Sequence, residues 1–388
     1  MIDRRTALHS LCCFGGLGLA SCLVENRKPI VSSNFRPTDQ ASAEAGLFQK
    51  AEQAEAKAKR SPLRIVDPAL ETYLKEIACK VSGTVCENAR VYVMRVPAFN
   101  ASMFPNGMMQ IWSGLLLRVQ NEAQLAAIIG HEMGHFIEQH TFERHDQFVN
   151  TAGFALILSM GLAGVGIPAG AFVYLASSAH LYGFNRSQEL EADLYGLTAM
   201  RRSGYDADEA VSIWRQLIAE HDAIEDKPER DIVFSTHPSG EERMKKLEAA
   251  AKTGVSGGNR ATKRLQGLIA PYRKEWLTDE VNRGSYSSLL SLIDTIEERQ
   301  GDAALTQYFR GEALRRRGRK ADRSDAIQAY SVALAAPDTP VETYRGLGLA
   351  LHRNGDIPEA EAALQTYVDK APEAADRALI QSMIKGTS

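Results

Sequence analysis

Two histidines one helical turn apart, in the string His131-Glu132-Met133-Gly134-His135, restrict this chain more than any other feature. Side chains at i and i+4 share a face only on an α-helix, so both imidazoles can ligate one zinc ion only if this stretch is helical. The surroundings agree. Asn121 can cap a helix running to His140, with Gln124 at its third position, and Leu125, Ile128, Ile129, Glu132 and Phe136 share a face. Glu132, beside the first histidine, is placed to take the proton of a zinc-bound water during attack on a peptide carbonyl. A third ligand must come from elsewhere. Glu189-Leu190-Glu191-Ala192-Asp193 offers two acids at i and i+4 on a second predicted helix, running from a Ser187 cap to about Arg202. Glu189 completes a two-histidine, one-carboxylate set, and Asp193 can accept a hydrogen bond from a ligand imidazole and fix its tautomer. Glu191 points away. Glu132 and Asp193 are therefore the candidate catalytic residues, and His131, His135 and Glu189 the candidate ligands of one Zn2+.

The 388 residues, 44% hydrophobic, suffice for two or three packed domains. Lys+Arg 45 against Asp+Glu 48 excludes the basic excess of a dedicated nucleic-acid binder. The mean hydropathy of −0.24 excludes a polytopic membrane protein. Residues 1–22 read as a signal peptide: Arg4-Arg5, an apolar run from Leu8 to Ala20, then Leu19-Ala20-Ser21-Cys22. That ending resembles the lipobox of bacterial lipoproteins, which implies lipidation of Cys22 and a periplasmic protein anchored to a membrane. With Leu23 after the cysteine, the implied destination is the outer membrane. The paired arginines also resemble a twin-arginine export signal. Cys12 and Cys13 leave with the signal, so Cys79 and Cys86 remain, around a segment able to turn at Ser82-Gly83. In an oxidising compartment they can pair, stabilising the fold by about 2.5 kcal/mol, or stay separate thiols.

The predicted fold class is mainly α: a metallopeptidase domain with a small β-sheet, followed by an α-helical repeat domain. Residues 23–60 read as a tether and N-terminal helix, 61–252 as the zinc domain, 253–264 as a linker and 265–388 as the helical domain. Within 61–252 the pattern predicts a helix over 68–81 and strands over Arg90–Val96 and Gln110–Leu116, with a turn at Phe104-Pro105-Asn106-Gly107. Residues 147–179 carry no charged side chain, but Gly161, Gly164, Gly166, Pro168 and Gly170 interrupt them. They read as two short apolar helices, core or lid in preference to a membrane span. Helices over 207–221 and 239–252 precede the linker. Beyond it, Gly311 and Gly318 match Gly348 and Gly355 at an offset of 37, while Ala326 and Tyr330 match Ala360 and Leu364 at 34. The second copy fits the 34-residue tetratricopeptide pattern.

Four strings in order carry a family resemblance: Asn100 to Gly107, the histidine motif at 131–135, Arg186 to Asp193, and Ser235-Thr236-His237-Pro238. They resemble the gluzincin metallopeptidases of the CAAX prenyl endopeptidase and HtpX group, most of all its periplasmic BepA-like branch with a tetratricopeptide (TPR) tail. The resemblance implies zinc on His131, His135 and Glu189, with Glu132 as base. It also implies that His237 can take zinc's fourth position and hold the enzyme latent. From the residues alone, His237 is an exposed loop histidine or an oxyanion stabiliser. The 100–112 segment resembles the family's substrate-binding edge strand, with Asn100, Met108, Gln110 and Trp112 as the candidate contacts. Ser102-Met103-Phe104 departs from the Phe-Ala-Leu often found there, which bears on side-chain specificity. The implied activity is degradation of misfolded or misassembled envelope proteins, with outer-membrane β-barrels and their assembly machinery as clients or partners of the TPR module. The rival reading is an assembly chaperone or scaffold, its zinc closed off by His131, His135, Glu189 and His237. His140 and His145 read as surface or supporting residues of the ligand helix.

Overall fold

The computed structural model describes residues 36, 37, 39, 42–141, 184–224, 237, 241–253, 257–300 and 302–386. The signal peptide with Cys22, most of the tether, the 147–179 segment, His145, and Ser235, Thr236 and Pro238 lie outside the described residues. No helix among the described residues is long and apolar enough to cross a membrane.

A four-stranded mixed sheet forms the first layer: β1 (Arg64–Ile65), β2 (Arg90–Met94), β3 (Ala101–Met103) and β4 (Met108–Trp112), in the order β1-β2-β4-β3. β2 and β4 run parallel, with Val91 opposite Met109 and Val93 opposite Ile111, and β3 pairs antiparallel with β4. Because successive side chains alternate between faces, each strand feeds two cores. Val91, Val93, Ala101, Met103, Met109 and Ile111 join the main core beneath α2 (Pro68–Ser82) and α4 (Glu122–Ile137). Tyr92, Met94, Met108 and Trp112 pack on the other face against Ala51, Ala54 and Ala58 of α1 (Ala43–Arg60). This arrangement corrects the predicted edge strand. Met108, Gln110 and Trp112 belong to β4, which is paired on both sides, and their face is turned to α1, away from α4. Of the two edge strands, β1 and β3, β3 is the one beside α4, and Asn100 immediately precedes it.

Most helix boundaries follow from capping chemistry. Pro68 opens α2 as predicted, with the Asp67 carboxylate accepting from the N–H groups of Ala69 and Leu70 at 2.9 and 3.1 Å. The predicted second strand ends early, at Trp112. Gly114 presses so close to the Ala98 backbone that a Cβ would collide with its carbonyl oxygen, and the chain coils into α3 (Ser113–Arg118). α4 is capped by Asn121 as predicted but stops at Ile137, three residues short of His140. The acid-bearing helix α5 (Arg186–Arg202) is capped by Asn185, not Ser187, in a capping box with Gln188. α6 (Asp208–Asp222) and α7 (Glu241–Lys252) follow. Cys79 and Cys86 form a disulfide across the end of α2.

The end of the predicted linker is anchored. Asn259 bridges to Tyr205, and the Arg260 carbonyl accepts from the N–H of Glu122 at 2.9 Å, at the start of α4. Then come α8 (Thr262–Ile269), α9 (Arg273–Arg283), α10 (Tyr286–Gln300), α11 (Ala303–Arg317), α12 (Asp322–Ala335), α13 (Glu342–Asn354), α14 (Ile357–Lys370) and α15 (Arg377–Gly386). Successive helices pack together, and the repeat spacing has a physical counterpart. A Cβ at Gly311 would meet the Tyr330 ring at 2.6 Å, and one at Gly348 would meet Leu364 at 2.6 Å. Gly318 and Gly355 end their helices in the left-handed conformation, at φ 73° and 100°. Two ion-pair sets fasten α9 to the elements that precede it in the chain. Buried Arg118 reaches Glu220 of α6 at 2.7 Å and Glu280 of α9 at 2.6 Å, and Arg95 holds Asp279 through two bonds of 2.8 and 2.9 Å.

α1 is held on the sheet by Glu55. Its carboxylate accepts two bonds of 2.6 Å from Arg90 and bonds of 2.8 Å from both the Tyr92 hydroxyl and the Asn106 amide. Burial acts to raise its pKa, but these donors outweigh it and bring the pKa down from 4.5 to about 2. A depressed carboxylate stabilises the fold above its unfolded pKa and loses that contribution as pH falls through the folded value. The expected result is that the wild-type Tm drops between pH 4.5 and 2 more steeply than that of Glu55→Gln, which starts lower. Parallel curves in scanning calorimetry would overturn this assignment.

Candidate metal centre

The site begins with two helices whose backbones nearly touch. A Cβ added at Gly130 would lie 3.0 Å from the Cα of Gly196, one at Gly134 3.0 Å from the Cα of Ala192, and one at Gly196 3.0 Å from the N of His131. Glycine at 130 and 134 on α4, facing Ala192 and Gly196 on α5, lets the helices approach closely. That approach brings the short reach of histidine and glutamate to a common point.

The predicted ligands do converge. His131 Nε2 and His135 Nε2 are 3.0 Å apart, and Glu189 lies 3.6 Å from the first and 3.3 Å from the second. His237 joins them, with Nδ1 3.1 Å from His131 Nε2 and 3.0 Å from Glu189 Oε1. One donor atom from each of the four residues lies within 4.8 Å of all the others, and all four residues are buried. Nitrogen and oxygen donors in this combination fit Zn2+, with three protein ligands and a fourth position that His237 can reach. The His131 Nδ1–H donates to Asp193 Oδ1 at 2.9 Å, which leaves its Nε2 lone pair directed at the centre. Asp193 thus makes the hydrogen bond expected of it to a ligand imidazole and acts through His131. Glu132 has its carboxylate 3.6 Å from His237 Nε2, and the Met103 backbone on β3 acts to lower its pKa.

The electrostatics are those of a buried site. Burial raises the Glu132 pKa above the usual carboxylate range, although His237 and His131 act against it. Burial also holds His135 well below the ordinary histidine value. For Glu189 burial pulls upward, yet the charges of His237 and Arg243 prevail and keep it ionised far below 4.5. His237 is raised despite its burial, because the Glu189 carboxylate is beside it.

Arg243 of α7 has no counterpart in the sequence-based site. Its guanidinium bonds Asp193 at 2.6 and 2.9 Å, lies 2.7 Å from Glu189, and stacks 4.7 Å over the Trp214 ring. The available signal is its position: Arg243, Leu247 and Ala251 form the buried face of α7, so the arginine occupies an apolar stripe. His140 is likewise buried, with Nδ1 2.9 Å from His135 Nδ1 and Nε2 3.3 Å from Glu191. This corrects the reading of Glu191 as turned away from the site. Gln139 makes the contact possible by adopting φ 60°, a left-handed conformation costing roughly 1–2 kcal/mol in a residue with a Cβ. Phe184 stacks on His135 with ring centroids 3.7 Å apart.

Removing one partner of a buried charge set strands the rest. Arg243→Met is expected to lower the unfolding free energy of metal-free protein by about 3–5 kcal/mol. Added zinc should shrink that deficit, because the cation replaces part of the counter-charge for Glu189. Urea unfolding of wild type and variant, with and without zinc, checks both statements. A deficit that zinc leaves unchanged would count against the role of Arg243 at Glu189.

Comparison with known proteins agrees with this geometry. Residues 65–251 match the model of Peptidase family M48. Mitochondrial metalloendopeptidase OMA1 of Schizosaccharomyces pombe is 30% identical over 169 residues, 43% of this chain and 48% of the relative. The OMA1 of Arabidopsis thaliana is 34% identical over 162 residues, 41% of this chain and 31% of the relative. The beta-barrel assembly-enhancing protease of Escherichia coli K12 is 23% identical over 190 residues, 46% of this chain and 38% of the relative. The chain spans less than half the length of each of these three curated relatives. Paired helices, a histidine–glutamate donor set, an adjacent base and the sequence match together identify residues 65–251 as an M48 metallopeptidase domain.

Proposed function

We propose that this protein is a zinc-dependent endopeptidase acting on misfolded or misassembled envelope proteins, lipid-anchored through Cys22 in the periplasm, at the outer membrane. The observation that carries the reading is the meeting of His131, His135 and Glu189 with Glu132 beside the edge strand β3. Zinc, when held by these three residues, supplies Lewis acidity that lowers the pKa of water and polarises the scissile carbonyl. Glu132, its pKa raised by burial, takes the proton of the attacking water and returns it to the leaving nitrogen. Asp193 and Arg243 keep His131 oriented throughout. β3 offers a place for an extended substrate. Asn100 and Phe104 bond to β4, so the alternating backbone groups of Ala101 and Met103 point off the free edge.

The names of the bacterial relatives support a client among β-barrel proteins or their assembly machinery. The equivalence of Gly311 and Tyr330 with Gly348 and Leu364 supports a TPR-like module at 265–388, which would bind that partner or position substrate. One observation favours a second reading. His237 lies inside the donor set, and four protein ligands would close the site. In that state the protein is either a latched protease or an assembly chaperone with a structural zinc.

Zinc-loaded protein beginning near Glu25 separates these readings when incubated with casein and with unfolded barrel proteins. Glu132→Gln should abolish cleavage while retaining one zinc, and His237→Ala should cleave faster than wild type. If wild type and His237→Ala are both inert with zinc bound, the chaperone reading replaces the protease.

A further inference from the structure

We infer that His140, backed by Glu191, is a positioning residue for the ligand His135, doing for the second histidine what Asp193 does for the first. The inference rests on the zinc-site reading above and assigns the partner of its one ligand imidazole left without a carboxylate at Nδ1. An imidazole that ligates through Nε2 carries its proton on Nδ1. His135 directs Nε2 to the centre, 3.0 Å from His131 Nε2 and 3.3 Å from Glu189. Its Nδ1–H therefore donates to His140 Nδ1, 2.9 Å away. His140, accepting there, has its own proton on Nε2 and donates it to Glu191 at 3.3 Å. The chain His135–His140–Glu191 fixes both tautomers from the outside inward.

The backbone is arranged for this contact. On a continuous helix, residue 140 would sit about 140° round from residue 135 and face elsewhere. The helix instead stops at Ile137, and the left-handed Gln139 turns His140 back beneath its own last turn. His140 is only 2% exposed, whereas the Glu191 side chain is 55% exposed. Phe184 stacks on the His135 ring, so that ring is gripped on its face as well as at Nδ1. The two ligand histidines are thus supported unequally. His131 leans on an arginine-paired carboxylate, and His135 on an imidazole whose anchor is at the surface.

The test uses the full chain, zinc affinity by chelator competition, and the visible spectrum of the Co2+-substituted protein. His140→Asn keeps an acceptor where Nδ1 stands, and His140→Phe removes it while filling the space. Wild type and His140→Asn should bind zinc within about threefold of each other, and His140→Phe roughly 10–100-fold more weakly, with an altered Co2+ spectrum. Glu191→Ala, a change at a half-exposed position that spares the fold, should weaken zinc in the same direction by less. Wild-type affinity in His140→Phe, or equal losses in His140→Phe and His140→Asn, would overturn the positioning role in favour of simple packing. Failure of wild type to bind one zinc would instead sink the zinc-site reading itself.

Discussion

The approach of α4 to α5 is the constraint on which the site depends. Histidine and glutamate side chains are short, and four donors can meet within 4.8 Å only if their helices come almost to backbone contact. Gly130, Gly134 and Gly196 permit that contact, with Cβ positions 3.0 Å from the facing backbone. Gly134 lies inside the histidine motif itself, about 100° round the helix from His135, and faces Ala192. The spacing of His131 and His135 sets the ligand face, and the glycines set its distance from Glu189 and Asp193. A larger side chain at any of the three would push the two helices, and with them the ligands, apart.

The second theme is the management of buried charge. Glu55, Arg118, Glu122, Glu189, Asp193 and Arg243 are all buried, and each has ionic partners. A buried ion is tolerated when paired and hydrogen-bonded, and is costly otherwise. At the site, one guanidinium serves two acids on one face of α5. Glu189 and Asp193 are one turn apart, so Arg243 orients the ligand and the residue behind the other ligand at once. Trp214 beneath the guanidinium restricts its movement to the plane it already occupies.

Local chemistry was readable from residues, and long-range chemistry was not. Asn121 as a cap, Pro68 as a helix opener and the i, i+4 pairs at 131 and 189 all follow from neighbours within one turn. Asn185 displaced Ser187 as cap because the capping box needs Gln188 at the third helical position. The edge strand shifted from β4 to β3 because strand order is a property of the whole sheet; alternation along one segment cannot reveal which neighbours it has. Arg243 and Glu191 were missed, and His140 was left between a surface and a supporting role, for a related reason. Their partners are 50, 51 and 5 residues away, and His140 reaches His135 only through a left-handed glutamine that no helical period anticipates.

The Arg118 cluster bears on how freely the two halves of this chain can be recombined. In sequence the break near 253–264 resembles a seam at which a tail could be exchanged. In energy it is nothing of the kind, because one buried guanidinium divides its charge between Glu220 on one side and Glu280 on the other. A helical tail transplanted from elsewhere must bring an acid to the place of Glu280, or leave a cation half-answered in the interior. Inheritance of the tail and of the peptidase is therefore coupled, and a change at Arg118 requires compensation on both sides of the seam.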